Sequence, residues 1–275
     1  MTNKGIEVSL RGTMVKTPSF SWDAAVLYAY NKNTVDYVNV KAPVYYLQLD
    51  YPQAYPRIGK SFNTIYGYQW AGLSNTGLPQ VYDASGTAVK YNPGQLDAIK
   101  DYGSTVPTHS GSFHTSANYK NFSLSALFIY ELGHKVKNTF LPMLANNYNG
   151  GLGGYVTDIS VVNNRIADRW MKPGDEAFTN VPRAVYEYEA DFNSESRTIY
   201  SYADINILDA SNLRLSNISL AYQMPKDLIK RVKLDGVRFN LNAENVYTFA
   251  KSRDAKVMLN GFQSPSFVFG VNVNF

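Results

Sequence analysis

The stretch that decides the fold is SPSFVFGVNVNF, Ser264–Phe275. From Phe267 every second residue is apolar: Phe267, Phe269, Val271, Val273 and Phe275. Between them stand Val268, Gly270, Asn272 and Asn274. Successive side chains of a β-strand point to opposite faces, so a period of two gives one apolar and one mixed face. Chain ends are ordinarily polar and frayed. This one closes a regular strand on an aromatic ring.

The same period recurs upstream. Ile6, Val8, Leu10, Gly12 and Met14 alternate, as do Phe20, Trp22, Ala24, Val26, Tyr28 and Tyr30. Phe113, Thr115, Ala117 and Tyr119 follow, then Phe122, Leu124, Ala126, Phe128, Tyr130 and Leu132. In LRLSNISLAYQM the phase slips from Leu213 and Leu215 to Ile218, Leu220 and Tyr222, which predicts a bulge near Asn217. Strands are expected near 4–15, 19–31, 110–120, 121–132, 208–224, 236–249 and 265–275.

Opposite the apolar rows sit Glu7, Arg11, Asp23, His114, Asn118, Arg214, Asn240, Asn242 and Glu244. A soluble antiparallel sandwich carries such faces, and so does a membrane barrel, apolar to lipid and polar to the lumen. Runs of about ten residues suit a tilted crossing, and aromatics cluster near the run ends as in interfacial girdles. Short and long connections also alternate, with long ones at 32–109, 133–207 and about 251–264. Outer-membrane barrels have short periplasmic turns and long external loops. The expected fold is therefore all-β, an antiparallel transmembrane barrel segment with Phe275 at the periplasmic side. An open sheet in lipid leaves two edges of unpaired backbone groups, so further strands are expected ahead of Met1.

Composition narrows the function. Charged residues make up 17% of the 275, below the roughly 25% of a soluble domain. The net charge of +4 comes without a basic run, which argues against a nucleic-acid partner. There is no cysteine, hence no disulfide and no thiolate metal site. His109, His114 and His134 are the only histidines, and no carboxylate accompanies them at ligand spacing; His109 and His114 are placed to approach each other. No nucleophile elbow or HExxH motif occurs. No enzyme, cofactor or metal is expected. Asp175 and Glu176 stand behind a Pro-Gly turn. They read as an acidic pair for Ca²⁺, or as solvated charges partnered by Arg169 or Lys172.

RWMKPGDE (Arg169–Glu176), NLRLSNISLAYQMP (Asn212–Pro225), NAENVYTFAKSRDA (Asn242–Ala255), IYGYQWAGL (Ile65–Leu73), YGSTVP (Tyr102–Pro107) and the closing FVFGVNVNF occur in one chain. Together they resemble the C-terminal part of SusC/RagA-type TonB-dependent outer-membrane transporters. The resemblance implies about seven C-terminal strands of a roughly 22-stranded, plugged barrel in a Gram-negative outer membrane. It implies import of an oligosaccharide or oligopeptide, a SusD-like surface lipoprotein as lid, and coupling to the TonB complex through a part outside this chain. It also implies that the terminal strand, through Phe267, Phe269, Val271, Val273 and Phe275, is read by the barrel-assembly machinery. Outer-membrane lipid is the remaining partner.

Tyr66, Tyr68, Trp70, Trp170 and Tyr186 lie in the long connections. Such rings suit substrate or lid contact, and equally suit packing within the loops. Two other functions stay open. One is a free-standing small barrel, an adhesin or structural protein, with an eighth strand from Ser61–Trp70. The other is a soluble carbohydrate-binding sandwich, which requires the apolar rows to face one another.

Overall fold

The computed structural model describes residues 1–142, 164–185, 194–230, 234–261 and 263–275. Among these residues fourteen strands run in chain order: β1 (Thr2–Lys16), β2 (Phe20–Thr34), β3 (Thr64–Tyr68), β4 (Trp70–Leu73), β5 (Pro79–Tyr82), β6 (Ala88–Val89), β7 (Ile99–Ser104), β8 (His109–Tyr119), β9 (Phe122–Leu132), β10 (Lys135–Lys137), β11 (Ile207–Asp209), β12 (Asn212–Gln223), β13 (Gly236–Ala250) and β14 (Ser266–Asn274). The α-helices are α1 (Tyr45–Asp50), α2 (Ser194–Tyr202), α3 (Lys226–Ile229) and α4 (Arg253–Asn260). The chain divides into two units. One holds Met1–Thr34, Val106–His134 and Asp209–Phe275; the other holds Val35–Thr105 and Lys135–Leu208.

The first unit is a seven-stranded antiparallel sheet in the order β1-β2-β8-β9-β12-β13-β14. Sequential neighbours pair directly, and the turns explain why. Thr17 closes the β1–β2 turn: its N–H donates to the Phe20 carbonyl at 2.7 Å and its hydroxyl accepts from the Phe20 N–H at 3.0 Å. Pro18 supplies the fixed φ such a turn uses. Lys120-Asn121 joins β8 to β9, with Lys120 at φ 50 in the left-handed region. The β12–β13 link holds the single helical turn α3. The β13–β14 link holds α4, which the period-two reading of the sequence did not reveal. Ser252 caps it by accepting from the Ala255 N–H at 3.1 Å, and Gly261 ends it at φ 60.

Register slips between Leu215 and Asn217 against both β9 and β13, which is the bulge the phase change predicts. Asn245, at φ 51, sits in the matching irregularity of β13. A second slip, between Thr13 and Val15 of β1, was not foreseen.

The two long connections make up the second unit. Segments 35–105 and 135–208 contribute jointly to one folded body. Its ladders are β3–β7, β4–β5–β6 and β10–β11, the last reaching its boundary at Asp209. Its core is Leu49, Tyr66, Tyr68, Val81, Val89, Ala98, Ile99, Ile199 and Ala203. Tyr68 bridges Ala203 across more than a hundred residues of sequence. Ser61–Trp70 is therefore no eighth strand of the large sheet, since β3 pairs with β7.

Candidate functional site

The terminal strand β14 pairs with β13 alone. Phe267 stands opposite Ala243, Phe269 opposite Leu241, Val271 opposite Phe239 and Val273 opposite Val237. The Phe239 and Phe269 rings stack, with centroids 6.3 Å apart. Phe275 lies one residue past the strand and is 90% exposed. The far edge of β14 and the outer edge of β1 are the two edges of the seven-stranded sheet among the described residues. An open edge offers main-chain bonds to a further strand, and alternating side chains set its register.

The ladder registers turn the period-two runs into rows that cross the whole sheet. One row is Phe20, Tyr119, Phe122, Tyr222, Phe239 and Val271. The next is Trp22, Ala117, Leu124, Leu220, Leu241 and Phe269, followed by Ala24, Thr115, Ala126, Ile218, Ala243 and Phe267. Further along lie Val26, Phe113, Phe128, Leu215 and Tyr247, then Tyr28, Gly111, Tyr130, Leu213 and Phe249. The outermost is Ile6, Tyr30, His109 and Leu132. Aromatics thus crowd both ends of the face, and the middle is aliphatic and small. The face is uncovered: Leu10 is 65% exposed and Phe269 67%. The opposite face is polar, as in the row Asp23, Ser116, Ser125, Ser219 and Asn242.

Gly111 shows how tightly these rows fit. The Tyr130 side chain crosses it, and the Tyr130 hydroxyl donates to the Leu27 carbonyl at 3.2 Å. A Cβ at Gly111 would collide with the Leu27 carbonyl and the Tyr130 ring. A glycine inside a strand is thereby roofed by an aromatic from the neighbouring strand.

The aromatic candidates of the second unit are mostly interior. Tyr68 is fully buried, and its hydroxyl donates to Asn92 Oδ1 at 2.9 Å. Burial pushes the Tyr68 phenol well above its ordinary range. Tyr66 is buried too, with the Arg57 guanidinium 4.9 Å above its ring. Trp170 is 9% exposed, and its ring lies on Gly77 (φ 73), where a Cβ would collide with it. These three rings act as core, a correction to the expectation of substrate or lid contact. Trp70 is half-buried; its indole donates to Asn180 Oδ1 at 3.2 Å and its ring meets Tyr200 edge-on at 5.7 Å. Tyr186 lies outside the described residues. Among the described residues of this unit the rings that do face solvent are others: Tyr37, Tyr46, Tyr51, Phe62, Tyr91 and Phe178. Nothing in their spacing sets them apart. Beside Tyr37, a cleft of about 360 Å³ is lined by Val38, Val40, Pro56, Ile58 and Leu96, with Lys41 and Asp97.

The acidic pair serves its own loop. Asp175 Oδ2 accepts the Met171 and Lys172 N–H groups, each at 3.0 Å. Glu176 Oε2 accepts the Trp170 indole N–H at 2.9 Å and the Gly174 N–H at 2.8 Å. The indole bond holds the Glu176 carboxyl below its ordinary value. The Arg169 guanidinium donates instead to the Ile166 carbonyl, at 3.3 Å. His109 and His114 do not meet: five residues apart on one strand, they point to opposite faces. Among the described residues no His, Asp and Glu side chains gather into a metal-binding group.

No family model matches the chain. It is 25% identical over 268 residues to TonB-dependent receptor P3 of Formosa agariphila, covering 90% of this chain and 24% of the relative. It is 26% identical over 257 residues to TonB-dependent receptor P26 of the same organism, covering 86% and 23%. The solved RagAB peptide transporter superposes on 99% of this chain and 29% of its own, with a TM-score of 0.67 and 23% identity. The open-open state of the RagAB peptide importer gives 0.68 and 22% over 99% and 28%. The chain shares the fold of a segment of these transporters, and its sequence is similar to that of TonB-dependent receptors. It spans about a quarter of the length of the curated relatives it matches.

In this chain burial favours the neutral form of one histidine. His134 follows β9, is buried, and its Nδ1 has no hydrogen-bond partner. Burial depresses its pKa below the ordinary 6.5, against the opposing pull of Glu131 and Asp209. The unfolded chain therefore takes the proton first as pH falls. Stability from the neutral ring is complete above about 6.5 and is lost as pH drops toward the folded value. Unfolding midpoints of the native protein and of His134→Gln between pH 7.5 and 5 should diverge, the native protein losing more. Parallel slopes would contradict this.

Proposed function

We propose that this chain supplies part of the wall and the external loops of an outer-membrane, TonB-energised nutrient importer. In this reading the seven long strands are the C-terminal strands of a transmembrane barrel of about 22 strands. The observation that carries it is the uncovered apolar face with aromatic rows at both ends. From Phe20 to Tyr30 that face runs about 33 Å along the strand at about 3.3 Å per residue. At a tilt of about 40–45° this spans roughly 23–25 Å, the height of a barrel's apolar band. A soluble sandwich would bury these rows against a second sheet.

The short turns then lie at the periplasmic rim, where β14 also ends, and segments 32–109 and 133–207 emerge outside. The solved relatives are a peptide transporter and importer. An oligopeptide is thus the first substrate class for this receptor, an oligosaccharide the second. The exposed rings of 37–58 and the cleft beside them are the surface we assign to substrate or to a SusD-like lipoprotein lid. Coupling to TonB runs through a part of the receptor outside this chain. The barrel-assembly machinery reads β14, with Phe267, Phe269, Val271, Val273 and Phe275 as its side-chain signal. The function is transport, not catalysis.

Two experiments on the intact receptor test this. Phe275→Asp should deplete it from the outer membrane at unchanged synthesis; normal membrane levels would count against the assembly role. Cells carrying it should accumulate a labelled oligopeptide, and a proton uncoupler should abolish the accumulation. Uptake indifferent to the uncoupler would refute energised import.

A further inference from the structure

Lys4 of β1 stands directly opposite Lys32 of β2. Alternation puts both on the face of Ile6 and Tyr30, the apolar one. The register is pinned on the other face, where Asn33 Nδ2 donates to Asn3 Oδ1 at 2.6 Å. Directly opposed residues hold their Cβ atoms about 4.5–5.5 Å apart, and like charges there repel. Both lysines are exposed, and neither has an ion-pair partner among the described residues. The acids of these two strands, Glu7 and Asp23, lie on the opposite face.

What surrounds the pair is telling. One step inward lies an aromatic cluster: the Tyr30 and His109 rings are 5.1 Å apart, and the Tyr28 hydroxyl meets His109 Nδ1 at 2.9 Å. A lysine on an edge strand guards against stray pairing. In the proposed barrel neither β1 nor β2 is an edge strand, so that role accounts for neither lysine. Two unpaired cations just beyond an aromatic row, on a face built for lipid, complement anionic headgroups.

We propose that Lys4 and Lys32 together bind the phosphate of a lipid headgroup at the outer rim of the membrane band. The site rests on the membrane reading above. A phosphate between the ammonium groups accepts from both and turns their repulsion into attraction. Each lysine contributes about fivefold to headgroup affinity, so the pair gives about twenty-fivefold.

The test titrates the intact receptor with lipid A, a bisphosphorylated glycolipid, and with its dephosphorylated form, counting bound lipid by native mass spectrometry. Lys4→Gln/Lys32→Gln should raise the half-occupancy concentration of lipid A about twenty-fivefold and leave the dephosphorylated lipid unaffected. Lys4→Arg/Lys32→Arg should restore lipid A binding. Equal lipid A occupancy in native receptor and Gln variant would overturn the site. Displacement of lipid A by equimolar inorganic phosphate would also overturn it, by assigning the pair to free phosphate. Protease-resistant assembly of both proteins in phosphatidylcholine vesicles separates these failures from failure of the membrane reading. A receptor that inserts in no vesicle sinks both.

Discussion

In the proposed barrel, arginine at Ile218 should cost the membrane-inserted protein about 2–4 kcal/mol, whereas arginine at Tyr222 should cost about 0–1. Both positions lie on β12 and on the same face. Ile218 belongs to a middle row, between Ala126 and Ala243, and Tyr222 to the aromatic row at the short-turn end, between Phe122 and Phe239. A guanidinium at mid-bilayer finds neither water nor counter-charge, while one at the rim reaches headgroups. Phe269 and Val271 fall in the two rows nearest that rim, so arginine there should be milder than at Ile218. Denaturant titration of the vesicle-inserted receptor reads the difference. An equal cost at Ile218 and Tyr222 would mean the face does not traverse a bilayer.

Tyr68→Ala should destabilise the body formed by 35–105 and 135–208 by about 3–5 kcal/mol, as for a large buried aromatic. Tyr68 is fully buried within a cluster that includes Leu49, Val81, Ile99 and Ile199, and its hydroxyl bonds Asn92. Tyr68→Phe should cost about 1 kcal/mol, the hydroxyl bond alone. Exposed Tyr91 serves as control, with Tyr91→Ala within about 0.5 kcal/mol of the native receptor. Limited proteolysis should cut Tyr68→Ala within these segments first and leave the long sheet whole. A Tyr68→Ala receptor as resistant as the native one would contradict the core assignment.

The two halves of the chain differ in how far local sequence betrays them. In the long sheet each strand writes its own period of two, so faces, rows and the slip at Asn217 are visible residue by residue. The slip in β1 is hidden because Met14 and Val15 are both apolar, and a phase change between two apolar residues leaves no trace. The second unit hides for another reason. Its strands are two to six residues long, too short for a period to emerge. Its core joins positions as distant as Tyr68 and Ile199. Tyr66, Tyr68 and Trp170 attract attention by residue type, but whether a ring packs or presents itself depends on what folds over it. For Trp170 that is the Gly77 turn, a contact no local pattern encodes.

In the proposed barrel one face of this sheet meets lipid and the other water. This chain has no cysteine, so single cysteines can be placed along β12 and β13 without background from it. Fluorophores at Leu220 and Leu241 should be quenched by brominated lipid chains, and those at the neighbouring Ser219 and Asn242 by water-soluble iodide. Quenching by lipid at all four positions, or at none, would contradict the account.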